Sequence, residues 1–265
     1  MNIDPDTLKA MGDFVPTSTK EALFNPAANA IGRGLGGIFT WLFQEPIKFG
    51  IIKEQEFSDL ANKTSIKLDK VPVENRVDSK WGLAIKTLES SRYSLDSEEL
   101  RNWFSTLLTN TIDNRVNAEV SPVFPLVLSA LSPSDAQFLT LFRMVGAIPI
   151  LTLNLVDSNN SNELTPLTSS ITDQAYPSKE HSYFEAESSL NLLSSFGIIE
   201  STISLDGAEL AVDEARSVYS DITQANLYTK LLKDNNISPH QVKELKGYAR
   251  LTGLGQSFVN VAMPK

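Results

Sequence analysis

Leu100, Trp103, Phe104, Leu107 and Leu108 follow the steps of three and four that turn one face of a helix toward a core. Asp96-Ser97-Glu98-Glu99, just ahead of them, supplies a capping side chain and acids for the positive end of the helix dipole. The same spacing appears at Trp81, Ala84, Ile85 and Leu88 and stops at the polar Ser90-Ser91-Arg92. Upstream, Ile31, Leu35, Ile38, Leu42, Phe49 and Ile52 carry a helical pattern from Ser18 to about Val71, interrupted by Glu45-Pro46. Proline starts or kinks a helix, so two helices are expected to meet near Gln44 to Pro46. Val123 to Leu131, with Pro122 and Pro125 in its first turn, predicts a short helix. Ser132-Pro133-Ser134-Asp135 then opens another, which buries Phe138, Leu141, Phe142 and Val145.

The pattern changes after Gly146. Ile148 to Val156 is rich in branched aliphatics and predicts a strand, which Pro149 pushes toward the edge of its sheet. Asp157 to Ser182 is polar, with Pro166 and Pro177, and is expected to be a long loop or insertion. Ala186, Leu190 and Leu193 share a helical face that Gly197 ends, and Ile198-Ile199 begins extended chain. Leu210 to Asp234 predicts a mostly helical insertion, and Tyr248 to Met263 a strand turning into a final helix. The expected fold is therefore mainly α, an N-terminal helical segment followed by an α+β module. The expected organisation is a tail or short helix over 1–24, a helical domain over 25–146, and an α+β domain over 147–265 with polar insertions near 157–182 and 210–234. No repeat at solenoid periods is found.

Within the first helical pattern, Gly32, Gly34 and Gly37 spell G-x-G-x-x-G. That fingerprint binds a dinucleotide only where a strand delivers the first glycine to a helix N-terminus. The preceding Asn25-Pro-Ala-Ala-Asn-Ala30 makes no strand, so no cofactor is implied. Ala28, Gly32, Gly36 and Thr40 instead recur every fourth residue, a small-residue stripe that lets another backbone approach closely. Helix-interior glycines at Gly32, Gly34, Gly36 and Gly37 cost about 1 kcal/mol each, which packing must offset. The stripe faces either this protein's own core or, with Phe39, Trp41, Leu42 and Phe43 beside it, an interface with a membrane surface or a second copy.

Composition narrows the chemistry further. The chain has 265 residues, a net charge of −9 and no cysteine, which removes disulfides, thiolate nucleophiles and Cys-ligated zinc. Residues 1–120 hold 14 Lys/Arg against 17 Asp/Glu and the remainder 9 against 15, so neither half is basic and nucleic acid is disfavoured as a partner. The acidic start Met-Asn-Ile-Asp-Pro-Asp does not resemble a secretory signal, and the uncharged run Gly34 to Gln44 covers only 11 residues where a span needs about 20. The expected location is the cytoplasm, with peripheral contact at the inner face of the membrane as the alternative. His181 and His240 are far apart in polar stretches and imply no metal site. The paired acids Glu98-Glu99, Glu54/Glu56 and Asp213-Glu214 read as capping and solvated faces, and no nucleophile elbow or P-loop is present, so no catalytic residue is nominated.

Leu192-Leu193-Ser-Ser-Phe196-Gly-Ile-Ile-Glu200, followed later by Leu251-Thr-Gly-Leu-Gly-Gln-Ser-Phe258, resembles the helix-to-wing order of winged-helix domains. A DNA-reading helix needs basic or amide side chains, and this one offers Glu185, Glu187, Ser188, Ser189 and Asn191. A scaffold for protein contacts fits better than a DNA reader. A wider resemblance rests on a succession of stretches: "AANAIGRGLGGIF", "VPVENRV" at Val71 to Val77, "SKWGLAIKTLESSRYSLDSEELRNWFSTLLTNTID" at Ser79 to Asp113, "VSPVFPLVLSALSPSDAQFLTLF" at Val120 to Phe142, "SLNLLSSFGIIE" at Ser189 to Glu200 and "LTGLGQSF" at Leu251 to Phe258. In order and spacing these resemble the abortive infection alpha family. The resemblance implies bacterial anti-phage defence and carries over no catalytic residue. The expectation is a non-catalytic defence protein acting through a host or phage protein, self-association or a membrane surface; the alternative is a winged-helix transcriptional regulator, which a basic patch around Lys230, Lys233, Lys243, Lys246 and Arg250 would favour.

Overall fold

A computed structural model describes residues 42, 43, 45–156, 164–173, 183–203 and 213–264. The described chain is mostly helical, with an antiparallel sheet in its C-terminal part. It divides into two compact units, one running to Pro133 and taken up again from Ser257, the other Ser134–Gln256. The first unit thus includes the end of the last helix, whose Phe258 is buried there, rather than stopping near residue 146.

In the first unit, helix α1 (Glu54–Leu68), α2 (Trp81–Ser91), α3 (Glu98–Ile112) and α4 (Phe124–Ala130) come in the order the periodicity predicts. The Ser97 hydroxyl accepts from the Leu100 N–H at 3.3 Å, capping α3 as its sequence requires. Helix α3 is buried on more than one face: Leu100, Trp103, Phe104, Leu107, Leu108 and Ile112 are joined inside by Ser105, Thr109 and Thr111. These three hydroxyls donate to carbonyls one turn back, at 2.7 to 2.8 Å, so a polar group enters the core without losing its hydrogen bond. Phe258 from the last helix packs edge-on against Phe124, ring centres 5.2 Å apart, and tilts against Trp103 at 6.3 Å.

Of the expected helix junction at Gln44 to Pro46, Gln44 lies outside the described residues. Residues 45–48 are helical, Pro46 included, and the turn comes after them at Phe49-Gly50. Gly50 takes φ +68°, its N–H bonds to the Ile47 carbonyl at 2.9 Å, and the Ile51 N–H bonds to the Pro46 carbonyl at 2.9 Å. That pair of bonds is a Schellman closure, so the glycine rather than the proline ends the helix.

The second unit starts in α5 (Pro133–Met144) and continues through strands β1 (Ala147–Val156), β2 (Leu164–Asp173) and β3 (Tyr183–Glu185), helix α6 (Glu187–Ser195) and strand β4 (Ile199–Ile203). Helices α7 (Asp213–Gln224) and α8 (Asn226–Asp234) precede β5 (Val242–Leu251) and α9 (Gly253–Ala262), which crosses into the first unit. The strands pair antiparallel in the order β3-β2-β1-β5-β4. Two expectations are corrected here. Strand β1 is central, not an edge: Pro149 lies one position before the β1–β2 ladder, which begins at Ile150↔Thr172, and its carbonyl accepts from the Thr172 hydroxyl at 2.7 Å. At the end of a ladder the missing proline N–H costs nothing. The stretch 157–182 is not simply a loop, because 164–173 pairs with β1, and Pro166 is accommodated where the register slips between Leu153 and Asn154. Within the stretch 210–234 the described residues, from Asp213 on, form the two expected helices and cover one sheet face: Leu151, Leu153 and Ile171 pack with Val218, Tyr219, Ile222, Tyr228 and Leu232.

At the start of α9 the Thr252 hydroxyl accepts from the Gly255 N–H at 3.0 Å, and its backbone N–H donates to the Ile198 carbonyl at 3.0 Å. A Cβ on Gly255 would fall 1.9 Å from that carbonyl oxygen, whereas one on Gly253 would meet nothing within 4 Å. Gly255→Ala is therefore expected to lower unfolding free energy by at least about 2 kcal/mol, the scale of a forced backbone shift, and Gly253→Ala to leave it unchanged or raise it. Urea denaturation of the two variants checks this; equal midpoints would refute the close approach.

Candidate functional site

The stretches that carry the family resemblance meet in pairs. "VPVENRV" closes onto the ends of α1 and α3. Arg76 Nε donates to the Val71 carbonyl and Nη2 to the Leu68 carbonyl, both at 2.9 Å, so a guanidinium satisfies carbonyls that the end of α1 leaves open. The Val77 N–H donates to the Ile112 carbonyl at 3.0 Å, and Asn75 Nδ2 to Asn114 Oδ1 at 2.9 Å. Lys86 Nζ reaches the Pro122 carbonyl at 2.9 Å, and Lys80 Nζ the carbonyls of Asn117 and Val120. In the second unit "FGIIE" meets "LTGLG" at the Thr252, Ile198 and Gly255 contact already described. These motifs are joints of the fold.

Of the residues proposed from sequence as a contact stripe, Ala28, Gly32, Gly36, Phe39, Thr40 and Trp41 lie outside the described residues. Leu42 and Phe43 are described and are buried, Phe43 with its ring 4.8 Å from that of Phe57. Just beyond them the side chains turn outward: Phe49 is 70% exposed and Ile51 75% exposed on the Gly50 turn, while Ile52 is buried. Lys48 and Lys53 flank the turn, and each has a carboxylate beside it, Glu45 at 3.9 Å and Glu56 at 3.0 Å.

A cleft of about 550 Å³ opens in the first unit where the end of α1, the C-terminal half of α3 and the end of α9 come together. Its polar lining includes Lys67, Lys70, Thr106, Asn110, Asp113 and Arg115, with Thr109 and Asn260 beside them. The Asp113 carboxylate is nearly enclosed and accepts Arg115 Nε at 2.8 Å and Nη2 at 2.6 Å. This two-pronged bond from Arg115 holds Asp113 below the usual carboxylate range despite its burial. Lys67 Nζ donates to the Asn102 carbonyl at 2.8 Å and to Asn102 Oδ1 and Ser105 Oγ at 2.5 Å. Burial, reinforced by the positive charges of Lys63 and Lys70, brings the Lys67 ammonium down to about 8. Nearby, Asp59 accepts from Lys63 at 2.5 Å and Arg101 at 2.6 Å; burial pushes its carboxyl up, and these two bonds outweigh it.

Of the five C-terminal cations, Arg250 is bonded to Glu200 at 2.5 Å and Lys246 Nζ sits 5.6 Å from the Tyr219 ring centre, while Lys230, Lys233 and Lys243 are exposed. Tyr228 donates to Glu244 at 2.6 Å, and burial followed by that carboxylate raises its phenol above the usual range. His240 lies exposed in a short turn at Pro239–Gln241, and His181 lies outside the described residues. Among the described residues no three His, Asp or Glu gather as metal ligands would, and no helix is long and apolar enough to cross a membrane.

A helical unit followed by an α+β unit, built around these paired motifs, defines the class of protein. The abortive infection alpha family model matches residues 52–262, and the chain belongs to that family. No curated protein and no solved structure matches it.

Lys67 also makes stability depend on pH with a defined sign. The folded protein releases this proton near 8 and the unfolded chain near 10.5, so between those values the unfolded state binds more protons and stability rises with pH. Below that window both states are charged and the burial cost is constant. Urea unfolding from neutral pH to 10 is expected to show wild type gaining on Lys67→Met across the window; parallel curves would rule the depressed ammonium out.

Proposed function

We propose that this protein serves in abortive infection without catalysis, by binding a protein partner through the exposed Phe49 and Ile51. The observation that carries this reading is the turn itself. Two large apolar side chains stand in solvent on a turn closed by two backbone hydrogen bonds, a few residues after the uncharged run Gly34 to Gln44. Holding such groups in water forgoes about 1.5–3 kcal/mol of burial each, a cost that a partner recovers. A protein partner is favoured over a bilayer because both flanking lysines already have carboxylates beside them and the chain carries −9. The glycine stripe from Ala28 to Thr40 belongs to the same proposed contact region.

The second unit is proposed as a winged-helix-like scaffold for contact rather than for reading DNA. In support, α6 leads through β4 and β5 to α9, with β5 paired between β1 and β4. The connection from β4 to β5 carries two helices in place of a short wing, and α6 has no basic residue. Its Glu187 is engaged by Ser170 at 2.7 Å and Asn191 at 3.1 Å. Arg250 is held by Glu200 and Lys246 lies by the Tyr219 ring, so two of the five cations that would favour the regulator reading are engaged.

Bacteria expressing the protein are expected to resist at least one phage of a broad panel, and Phe49→Ser/Ile51→Ser is expected to abolish that resistance while thermal melting stays the same. Undiminished protection by the double variant would overturn the turn as the working surface. Flotation of wild type with anionic liposomes would transfer the role to a membrane contact.

A further inference from the structure

We propose that the cleft bounded by α1, α3 and the end of α9 is a binding site for a small polyhydroxylated anion, a sugar phosphate or a sugar acid, with the anionic group at Lys70 and Arg115 and the hydroxyls toward Thr106 and Asn110. The argument is a count of which hydrogen-bonding groups in the lining are already committed. Lys67 spends its three protons on Asn102 and Ser105. Arg115 spends Nε and Nη2 on Asp113, which leaves Nη1, and its side chain is half exposed. Lys70 is exposed and makes no side-chain hydrogen bond or ion pair among the described residues. Lys70 and Arg115 Nη1 thus offer cationic donors on one side of the cleft.

The free acceptors are neutral. Thr106 Oγ1 donates its hydrogen to the Asn102 carbonyl at 2.9 Å, and Asn110 Nδ2 donates to the Val261 carbonyl at 2.8 Å. Their oxygens keep lone pairs for a donor, which a hydroxyl-bearing ligand supplies and a bare anion does not. The charge balance points the same way. Among the described residues three cations line the cleft against one carboxylate, which is enclosed and paired, while Glu74 outside the lining also acts on Arg115. In a chain of net −9 this is a local reversal of sign, and its size, about 550 Å³, suits a small metabolite. Val71, Val116 and Met263 supply the apolar part of the lining, against which the carbon skeleton of a sugar can rest.

Isothermal titration of the full chain with glucose 6-phosphate, gluconate, glucose and inorganic phosphate tests this. One of the two polyhydroxylated anions is expected to bind, which identifies the anionic group, and to bind at least about tenfold more tightly than either glucose or inorganic phosphate. Lys70→Glu is expected to weaken that binding at least about tenfold, and Lys230→Glu, the same charge change on α8, by less than about twofold. Replacing Asn110 by Leu is expected to remove the preference over inorganic phosphate while phosphate itself still binds. The proposal is overturned if neither anion binds at about 10 mM, if glucose binds as well as they do, if phosphate alone matches them, or if Lys70→Glu and Lys230→Glu behave alike.

Discussion

The carbonyl of Ile198 sets the geometry of the second unit. It accepts the Thr252 N–H at 3.0 Å and lies where a Cβ on residue 255 would have to be. Three elements meet at that oxygen. Helix α6 has just ended at Gly197, whose φ of +67° lets the Ile198 N–H return to the Leu193 carbonyl. The β4–β5 ladder opens next to it at Ile199↔Leu251, and α9 starts with Thr252 as its cap. Misplacing the oxygen by even an ångström would lose a Schellman closure, a strand register and a helix cap together, because each depends on the same few backbone atoms. This explains why "FGIIE" and "LTGLG" stand out in the sequence although neither carries chemistry.

Such joints separate what the sequence disclosed from what it concealed. Helix α3 was legible because Ser97, Glu98 and the apolar spacing from Leu100 to Leu108 are local signals that agree with one another. Pro149 misled because its local meaning, an edge, is overridden by where the neighbouring ladder starts, a property of β2 and not of β1. Strand β2 was hidden by its polar composition: Thr165, Thr168, Ser169 and Ser170 look like loop, and only pairing with β1 makes them strand. The helix end at Gly50, which can take a positive φ, was not anticipated, because a lone glycine four residues after Pro46 carries little signal by itself.

The candidate sites were less legible still. The sequence left Leu42 and Phe43, with Phe39 and Trp41, facing either the core or an interface; the two described ones are buried, and the exposed apolar pair is Phe49 and Ile51, beyond the helix end. A turn that reverses direction after one residue changes which side chains meet water, and no helical wheel continues through it. The cleft gave no signal at all. Lys67 and Lys70 lie some 45 residues before Arg115, and the family motifs around them bear on joints instead.

What makes Lys70 informative is how the other lysines near it are used. In the described part of the first unit, Lys48, Lys53 and Lys63 sit beside carboxylates, Lys67 is held by Asn102 and Ser105, and Lys80 and Lys86 cover open carbonyls. An acidic chain assigns its cations to these tasks because an unpaired ammonium contributes little to folding, while a carbonyl left without a donor costs about 1–3 kcal/mol. Lys70 is the lysine of that set with no such task, and it stands at a cleft whose only carboxylate among the described residues is already neutralised. Its place beside Arg115 and Lys67, where like charges repel and weaken the fold, is a cost that an arriving anion would offset.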